Sequence, residues 1–442
     1  MKRIILRKGE EERIFRGHPW VYDNEVRSIL EGKGAAERPV QLFPGELADV
    51  ESCNKHGEQY VGRALVNPAS KIIARMISPS KEGVDTGFFK RRIREAAERR
   101  SRLGIDLASV SCRLVFAEAD FIPGLIIDSF IGWSLDDIQK TERAYPLVMH
   151  TLSTSLGSPQ KILSIQILTF ALDMRTKEIL QAMNEVLPAL LEGEFAVIEK
   201  VSLLMREKEK IPEREAITQG VLPANGIVIF EHGLPFIVDL EGGQKTGHYL
   251  DQRDNRQCAF RYGSSGGKRV LDAFCYSGGF AIHAARAGAE EVIAADSSKN
   301  ALSLVAKNAL LNGVADRIKT VQADIFELLA AFERAKETFD MIILDPPAFA
   351  ASRTSLESAL KGYKEINLKA LKMLKRGGVL ISCSCSHAVS ESHFKRMILD
   401  AAHDAGRRLV QNEFRTQAGD HPILLGYDES HYLKCGVYTV VD

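Results

Sequence analysis

Several absences narrow what this 442-residue chain can do. It has no net charge: 58 Lys and Arg balance 58 Asp and Glu, so charge alone makes no case for nucleic acid or an acidic surface. It has no metal or disulfide framework. Its 7 cysteines, at positions 53, 112, 258, 275, 383, 385 and 435, are scattered and include no C-x-x-C pair, the pattern of reduced thiols. No apolar run approaches the ~20 residues of a membrane helix. The first residues, MKRIILRKGEEERI, lack the apolar core of a signal peptide. A cytoplasmic protein away from membranes is expected. What is left is a globular composition, 45% apolar and 26% charged, at a length that calls for two or three domains. Residues 1–110 carry a modest basic excess and the remainder an acidic one.

The most informative stretch runs from Arg269 to Asp296. An apolar run from Val270 ends in Asp272, and the turn Cys275-Tyr276-Ser277-Gly278-Gly279 follows. Phe280 to Ala287 reads as a helix stopped by Gly288, and Glu291–Ala295 as a buried strand ending in Asp296. Strand, glycine turn, helix, strand and acid make the first half of a doubly wound nucleotide-binding fold, in which the acid ending the second strand can hold ribose hydroxyls. A dinucleotide fingerprint needs glycines at three fixed places. Here the turn has only an adjacent pair, and Asp272 stands at its mouth. An acid there repels a pyrophosphate but suits the ammonium of S-adenosylmethionine (SAM). SAM is favoured over NAD.

Along the chain, residues 1–78 hold short β-like runs punctuated by Gly45, Gly57 and Asn67-Pro68, which predicts a small β domain. Asp85 to Leu103 predicts a helix. Its apolar face includes Phe88, Phe89, Ile93 and Leu103, and its other face is a solvated basic one that includes Arg99 and Arg100. Residues 79–215 form a small α+β domain with an irregular insertion at 133–161 and a charged linker at 208–215. A β-hairpin around His232-Gly233 and the polar run Glu241–Arg253 open a C-terminal domain over 216–442. From Val270 on, strand and helix alternate. Strands end in or near Asp272, Asp296, Asp324 and Asp345, at the rim where ligands bind in open α/β sheets.

Two elements at that rim carry reaction chemistry. Asp345-Pro346-Pro347-Ala348-Phe349 is a carboxylate in a stiff loop. Ser382-Cys383-Ser384-Cys385-Ser386-His387 lies on the adjacent strand in the order 3-2-1-4-5. A thiolate and a carboxylate beside an electrophilic methyl suit methylation of a pyrimidine carbon, because C5 becomes nucleophilic once a thiolate adds to C6. Cys383 and Cys275 read as core, and His387 as incidental.

The runs EGGQKTGHYLDQRDNR (241–256), LDAFCYSGGF (271–280), DPPAF (345–349), Ser384–Ser386, Asp420-His421-Pro422 and Tyr432-Leu433-Lys434 resemble the class I SAM-dependent ribosomal RNA cytosine-5 methyltransferases of the RlmI type. Gly17–Tyr22 and Asn67–Ser70 resemble that family's N-terminal PUA domain, and the likeness covers nearly the whole chain. It implies an α/β protein with a PUA-like RNA-binding domain (1–78), a central small α+β domain (79–215) and a Rossmann-like methyltransferase domain (216–442). Large-subunit ribosomal RNA is the implied partner, and a homodimer stays open. Asp272, Gly278, Asp296 and Asp324 are implied around SAM. Phe274, Tyr276 and Ser277 of the turn, Gln244 and Tyr249 of the polar run, and Asp345 join them. Asp345 also holds the base, and Cys385 is the nucleophile. Unlike many relatives, the chain has Ala348 in place of a lysine, and it has no cysteine after the strand-four proline. The fifth strand is therefore the one source of a nucleophile. Two other functions stay open: methylation of a purine nitrogen with Cys385 idle, and a non-catalytic RNA-binding or assembly factor.

Overall fold

Hydrogen bonding sorts the strands of the computed structural model into three sheets. All residues are described except 33, 55–56, 141–145, 241–246, 264–268 and 350–355. The first sheet comprises β1 (Lys2–Leu6), β2 (Trp20–Tyr22), β3 (Val26–Glu31), β4 (Arg38–Pro39), β5 (Leu47–Asn54), β6 (Gly57–Val66) and β7 (Ile72–Ser78). Its order is β2-β7-β6-β5-β1-β3-β4. Ile4, Leu6, Val50, Val66 and Ala74 fill its core. This domain is docked on the rest through buried ion pairs. Arg75 donates to Glu118 and to Glu209, each at 2.9 Å, and the Trp20 indole donates to Glu118 at 2.8 Å.

The second sheet comprises β8 (Cys112–Phe116), β9 (Leu125–Ser134), β10 (Gln160–Ile167), β11 (Ala196–Glu199), β12 (Thr218–Gln219), β13 (Ile227–Glu231) and β14 (Leu234–Val238). It runs β12-β11-β10-β9-β13-β14, with β8 also paired to β9. Several sequence expectations change here. The 226–240 hairpin, expected to open the C-terminal domain at 216, completes this central sheet, because β13 pairs with β9. It reads as a C-terminal element because it is apolar on both faces. Its second face packs on the methyltransferase helices, where Phe236 stacks on His283 at 5.9 Å.

The stretch 133–161 is less irregular than expected. β9 runs to Ser134, helices follow at Leu135–Gln139 and Met149–Leu156, and β10 returns in antiparallel register with β9. The expected linker at 208–215 is anchored, with Glu209 paired to Arg75 and Arg214 to Asp173 and Glu199. The helix expected over 85–103 spans Thr86–Arg102, and the Asp85 side chain caps it by accepting from Phe88 N–H. However, Leu103 is exposed, and Arg100 is fully buried with its guanidinium on Asp120. A charge run in sequence does not reveal which of its members meet buried carboxylates.

The third sheet comprises β15 (Arg269–Ala273), β16 (Glu291–Asp296), β17 (Ile318–Gln322), β18 (Phe339–Leu344), β19 (Leu374–Ser384), β20 (Leu409–Arg415) and β21 (Lys434–Val440). Its order is β17-β16-β15-β18-β19-β21-β20. The first five strands follow the expected 3-2-1-4-5 order and are parallel, and β21 inserts antiparallel between β19 and β20. The central strands β15, β16 and β18 are buried along nearly their whole length, as strands covered on both faces require, whereas the edge strand β17 is half-exposed. Ser298 and Asp324 cap the helices after β16 and β17. No helix among the described residues is long and apolar enough to cross a membrane.

Candidate active site

The site lies at the carboxyl ends of β15, β16, β18 and β19. After β15 the backbone turns sharply: Phe274, Tyr276 and Gly278 all have positive φ (63°, 47° and 81°). Such φ values strain a side-chain-bearing residue and persist only where surrounding bonds fix them. Here Cys275 N–H donates to Ala295 O at 3.0 Å and Tyr276 N–H to Asp296 Oδ2 at 3.0 Å. Gly279 is needed for contact rather than conformation, since a Cβ there would lie 2.4 Å from Arg256 Nε.

That arginine joins the polar run to the turn. Arg256 donates to Glu231 at 2.5 Å and to the Tyr249 carbonyl at 2.6 Å. Burial pushes the Glu231 carboxyl up, but the Arg256 guanidinium and His248 outweigh it and hold the carboxyl well below its ordinary range. The Tyr249 and Tyr276 rings meet edge to face at 5.0 Å, and the Tyr276 hydroxyl donates to Gly247 O at 3.3 Å. Gln244 of the same run lies outside the described residues.

The acids differ in their surroundings. Asp272 is fully buried. Its Oδ2 accepts from Ala281 N–H at 2.9 Å, while Oδ1 is buried without a partner among the described residues. Burial pushes its pKa up to about 8, against the Ala281 bond and with help from Asp345 and Asp296. A desolvated carboxyl with an open oxygen fits a cationic group, and SAM carries an ammonium. Asp296 accepts one backbone N–H on each oxygen, from Tyr276 and Ser298. Exposed Asp324 uses Oδ1 for two backbone bonds, to Phe326 at 2.9 Å and Glu327 at 3.2 Å. Ser277 is buried and its carbonyl accepts from Asn308. The Phe274 ring lies 6.4 Å from Phe349, which packs on Tyr363.

Across the rim, Asp345 follows β18 and accepts from the Gln252 side chain at 2.8 Å. Cys385 follows β19 and is half-buried, its sulfur 3.9 Å from Pro346 O. The two strands are in register, Leu344 opposite Ser382, which brings Asp345 and Cys385 to one lip. Cys383 lies in the core opposite Cys435, and burial together with Cys435 pushes its thiol well up. Cys275 is buried as well.

Gln252, Asn255, Arg256 and Lys434 escaped assignment from sequence. They stood out only as members of polar or family-like runs, and the partners that give them a place are distant in the chain: Asp345 is 93 residues from Gln252, Thr416 161 from Asn255, Glu231 25 from Arg256 and Ser386 48 from Lys434. Asp420 proves to be a structural anchor. It accepts from Arg113 N–H at 2.8 Å and from Arg253 at 3.3 Å, tying the methyltransferase sheet to the central one.

Residues 163–411 match the S-adenosylmethionine-dependent methyltransferase family, and residues 4–79 match the PUA-like domain family. Among curated relatives, ribosomal RNA large subunit methyltransferase I of Cronobacter sakazakii is 34% identical, covering 98% of each chain. The protein of the same name from Aeromonas hydrophila is 37% identical, covering 98% of this chain and 97% of the relative. Two solved structures share the fold over 100% of both chains. One is a methyltransferase complexed with S-adenosylhomocysteine (SAH), with TM-score 0.77 at 21% identity. The other is a SAM-dependent methyltransferase from Streptococcus mutans, with TM-score 0.76 at 20% identity.

Proposed function

The chain belongs to the S-adenosylmethionine-dependent methyltransferases, alongside the ribosomal RNA large subunit methyltransferases I, and we propose that it methylates carbon 5 of a cytosine in large-subunit ribosomal RNA. One observation carries the choice of reaction: the half-buried Cys385 sulfur stands at the rim beside Pro346, on the same lip as Asp345, while Cys383 is sealed in the core.

SAM, when bound, supplies an electrophilic methyl group. Asp272 would accept from its ammonium through the buried oxygen that has no partner among the described residues, and Asp296 would accept from its ribose hydroxyls. Phe274, Tyr276, Ser277, Gly278, Asp324 and Tyr249 line the remainder. The Cys385 thiolate would bond to C6, and the C5=C6 electron pair would take the methyl at C5 as the S–CH3 bond breaks and S-adenosylhomocysteine leaves. Loss of the C5 proton and cleavage of the C6–S bond restore the double bond and the thiolate. Asp345, held by Gln252, accepts from the exocyclic amine and keeps the ring oriented. Residues 1–78 hold the RNA by shape and backbone, which the PUA-like match supports. A ribosomal RNA substrate sets the reaction in the cytoplasm.

Mass spectrometry of ribosomal RNA nucleosides from a gene-deletion strain tests this. Loss of one 5-methylcytidine is the expected result. Loss of a methylated purine would replace the reaction with nitrogen methylation, and no loss would make the chain a non-catalytic factor.

A further inference from the structure

Lys434 is a buried cation that the reaction above leaves without a role. Its side chain is 1% exposed. β21 pairs with β19 so that Lys434 sits opposite Ser384, the residue before Cys385. Its ammonium donates to the Ser386 carbonyl, on the other side of Cys385, at 2.7 Å, and to the Tyr432 carbonyl at 2.8 Å. Both acceptors are neutral, and no carboxylate of the described residues forms an ion pair with it. An ammonium kept from water without a counter-charge is costly. Such a lysine in a core normally loses its proton or has an anion to meet. Burial indeed lowers its pKa to about 8, and the Cys385 thiolate is the group that favours its charged form.

We propose that Lys434 is the positioning residue that holds Cys385 as a thiolate, its ammonium clamped on the carbonyl of Ser386, the next residue in the chain. The inference rests on the cysteine reading of the site. Other titratable groups face the same lip. Tyr249 and Asp345 come from the polar run and the β18 end. Tyr432 donates to Asp251 at 2.6 Å, Tyr363 shares a bond with Ser386 at 2.9 Å, and the His387 ring lies 5.5 Å from Tyr432. The two acids oppose a thiolate and the tyrosines are neutral at pH 7; Arg113 acts on Asp251 and Tyr432, and Lys434 is the cation among the described residues that is held on the Ser386 carbonyl next to Cys385. Cys383, 2 residues earlier and opposite Cys435, has no such neighbour, and its thiol is pushed well up.

The test is the pH dependence of Cys385 alkylation by iodoacetamide in the full-length protein, followed by peptide mapping. The wild-type inflection is expected below the ordinary thiol value of about 8.5. Lys434→Gln should raise it by about one pH unit, slowing alkylation near pH 7 by about tenfold. Lys434→Arg should keep the low inflection. A wild-type inflection at or above about 8.5 overturns the proposal even if Lys434→Gln does not fold. So does a profile that Lys434→Gln leaves unmoved. Methylation by Cys385→Ala keeps the two ideas apart. Activity there removes the cysteine chemistry itself, whereas an inactive Cys385→Ala with an unshifted lysine variant removes only the role of Lys434.

Discussion

Gln252 donates its amide to Asp345 at 2.8 Å while Asn255 donates to the Gln252 oxygen at 2.7 Å, so the polar run of 247–256 sets the direction of a carboxylate 93 residues away. Removing the amide should leave the cofactor pocket intact and misdirect the carboxylate. Gln252→Leu is expected to lower kcat/KM by about 1–3 kcal/mol, roughly ten- to a hundredfold, the usual cost of losing a bond to a charged group. SAM affinity by calorimetry should stay within about twofold of wild type. A SAM affinity that falls in step with activity would put Gln252 in the cofactor pocket instead.

Asp272 makes stability depend on pH. Its folded pKa of about 8 lies above its ordinary value of 3.8. The folded state therefore binds more protons than the unfolded state between those values, and stability must fall as pH rises from about 4 to about 8. Asp272→Asn should flatten this part of the pH–Tm profile. SAM should protect the wild type most near pH 8, where its ammonium meets the ionised carboxylate. A wild-type melting temperature that rises through this window by the difference from Asp272→Asn would contradict the assignment.

Asp296 fixes Tyr276 N–H in the strained turn, and in the proposed binding mode it also takes the ribose hydroxyls. Asp296→Ala should weaken SAM by about 1–3 kcal/mol in calorimetry. Affinity equal to wild type would move the ribose elsewhere.

The first domain cannot be cut away cleanly. Arg75 neutralises Glu118 and Glu209, both buried, and Arg75→Met leaves two carboxylates without that cation. A loss of about 3–5 kcal/mol is expected, seen as a lower denaturant midpoint. Deleting residues 1–78 should likewise destabilise what remains, so RNA binding by this domain is better measured in the full chain.

Much of the site was legible because it lies in short, local patterns. Asp272, the glycine turn, Asp296 and the Asp345 loop each belong to one strand end, and the parallel order brings strand ends together. What escaped was long-range. Arg100, Arg214 and Glu209 read as solvated charges, yet each meets an opposite charge outside its own segment, 20, 15 and 134 residues away. The 226–240 hairpin resembles the start of a domain, but only its pairing with β9 reveals its sheet. Lys434 stands in a family-like run, but its contact with the Ser386 carbonyl depends on β21 inserting beside β19.

The sulfur of Cys385 is the centre of the proposed reaction, and trapping it is the most direct measurement. RNA bearing 5-fluorocytosine at the target should form a covalent adduct in the presence of SAM, because fluorine at C5 blocks the proton loss that releases the enzyme. Peptide mass spectrometry should locate it on Cys385. Cys385→Ala should abolish both adduct and methylation while still binding SAM, and Cys383→Ala should cost mainly stability. An adduct that persists in Cys385→Ala and vanishes in Cys383→Ala, or methylation that survives both substitutions, would contradict the mechanism.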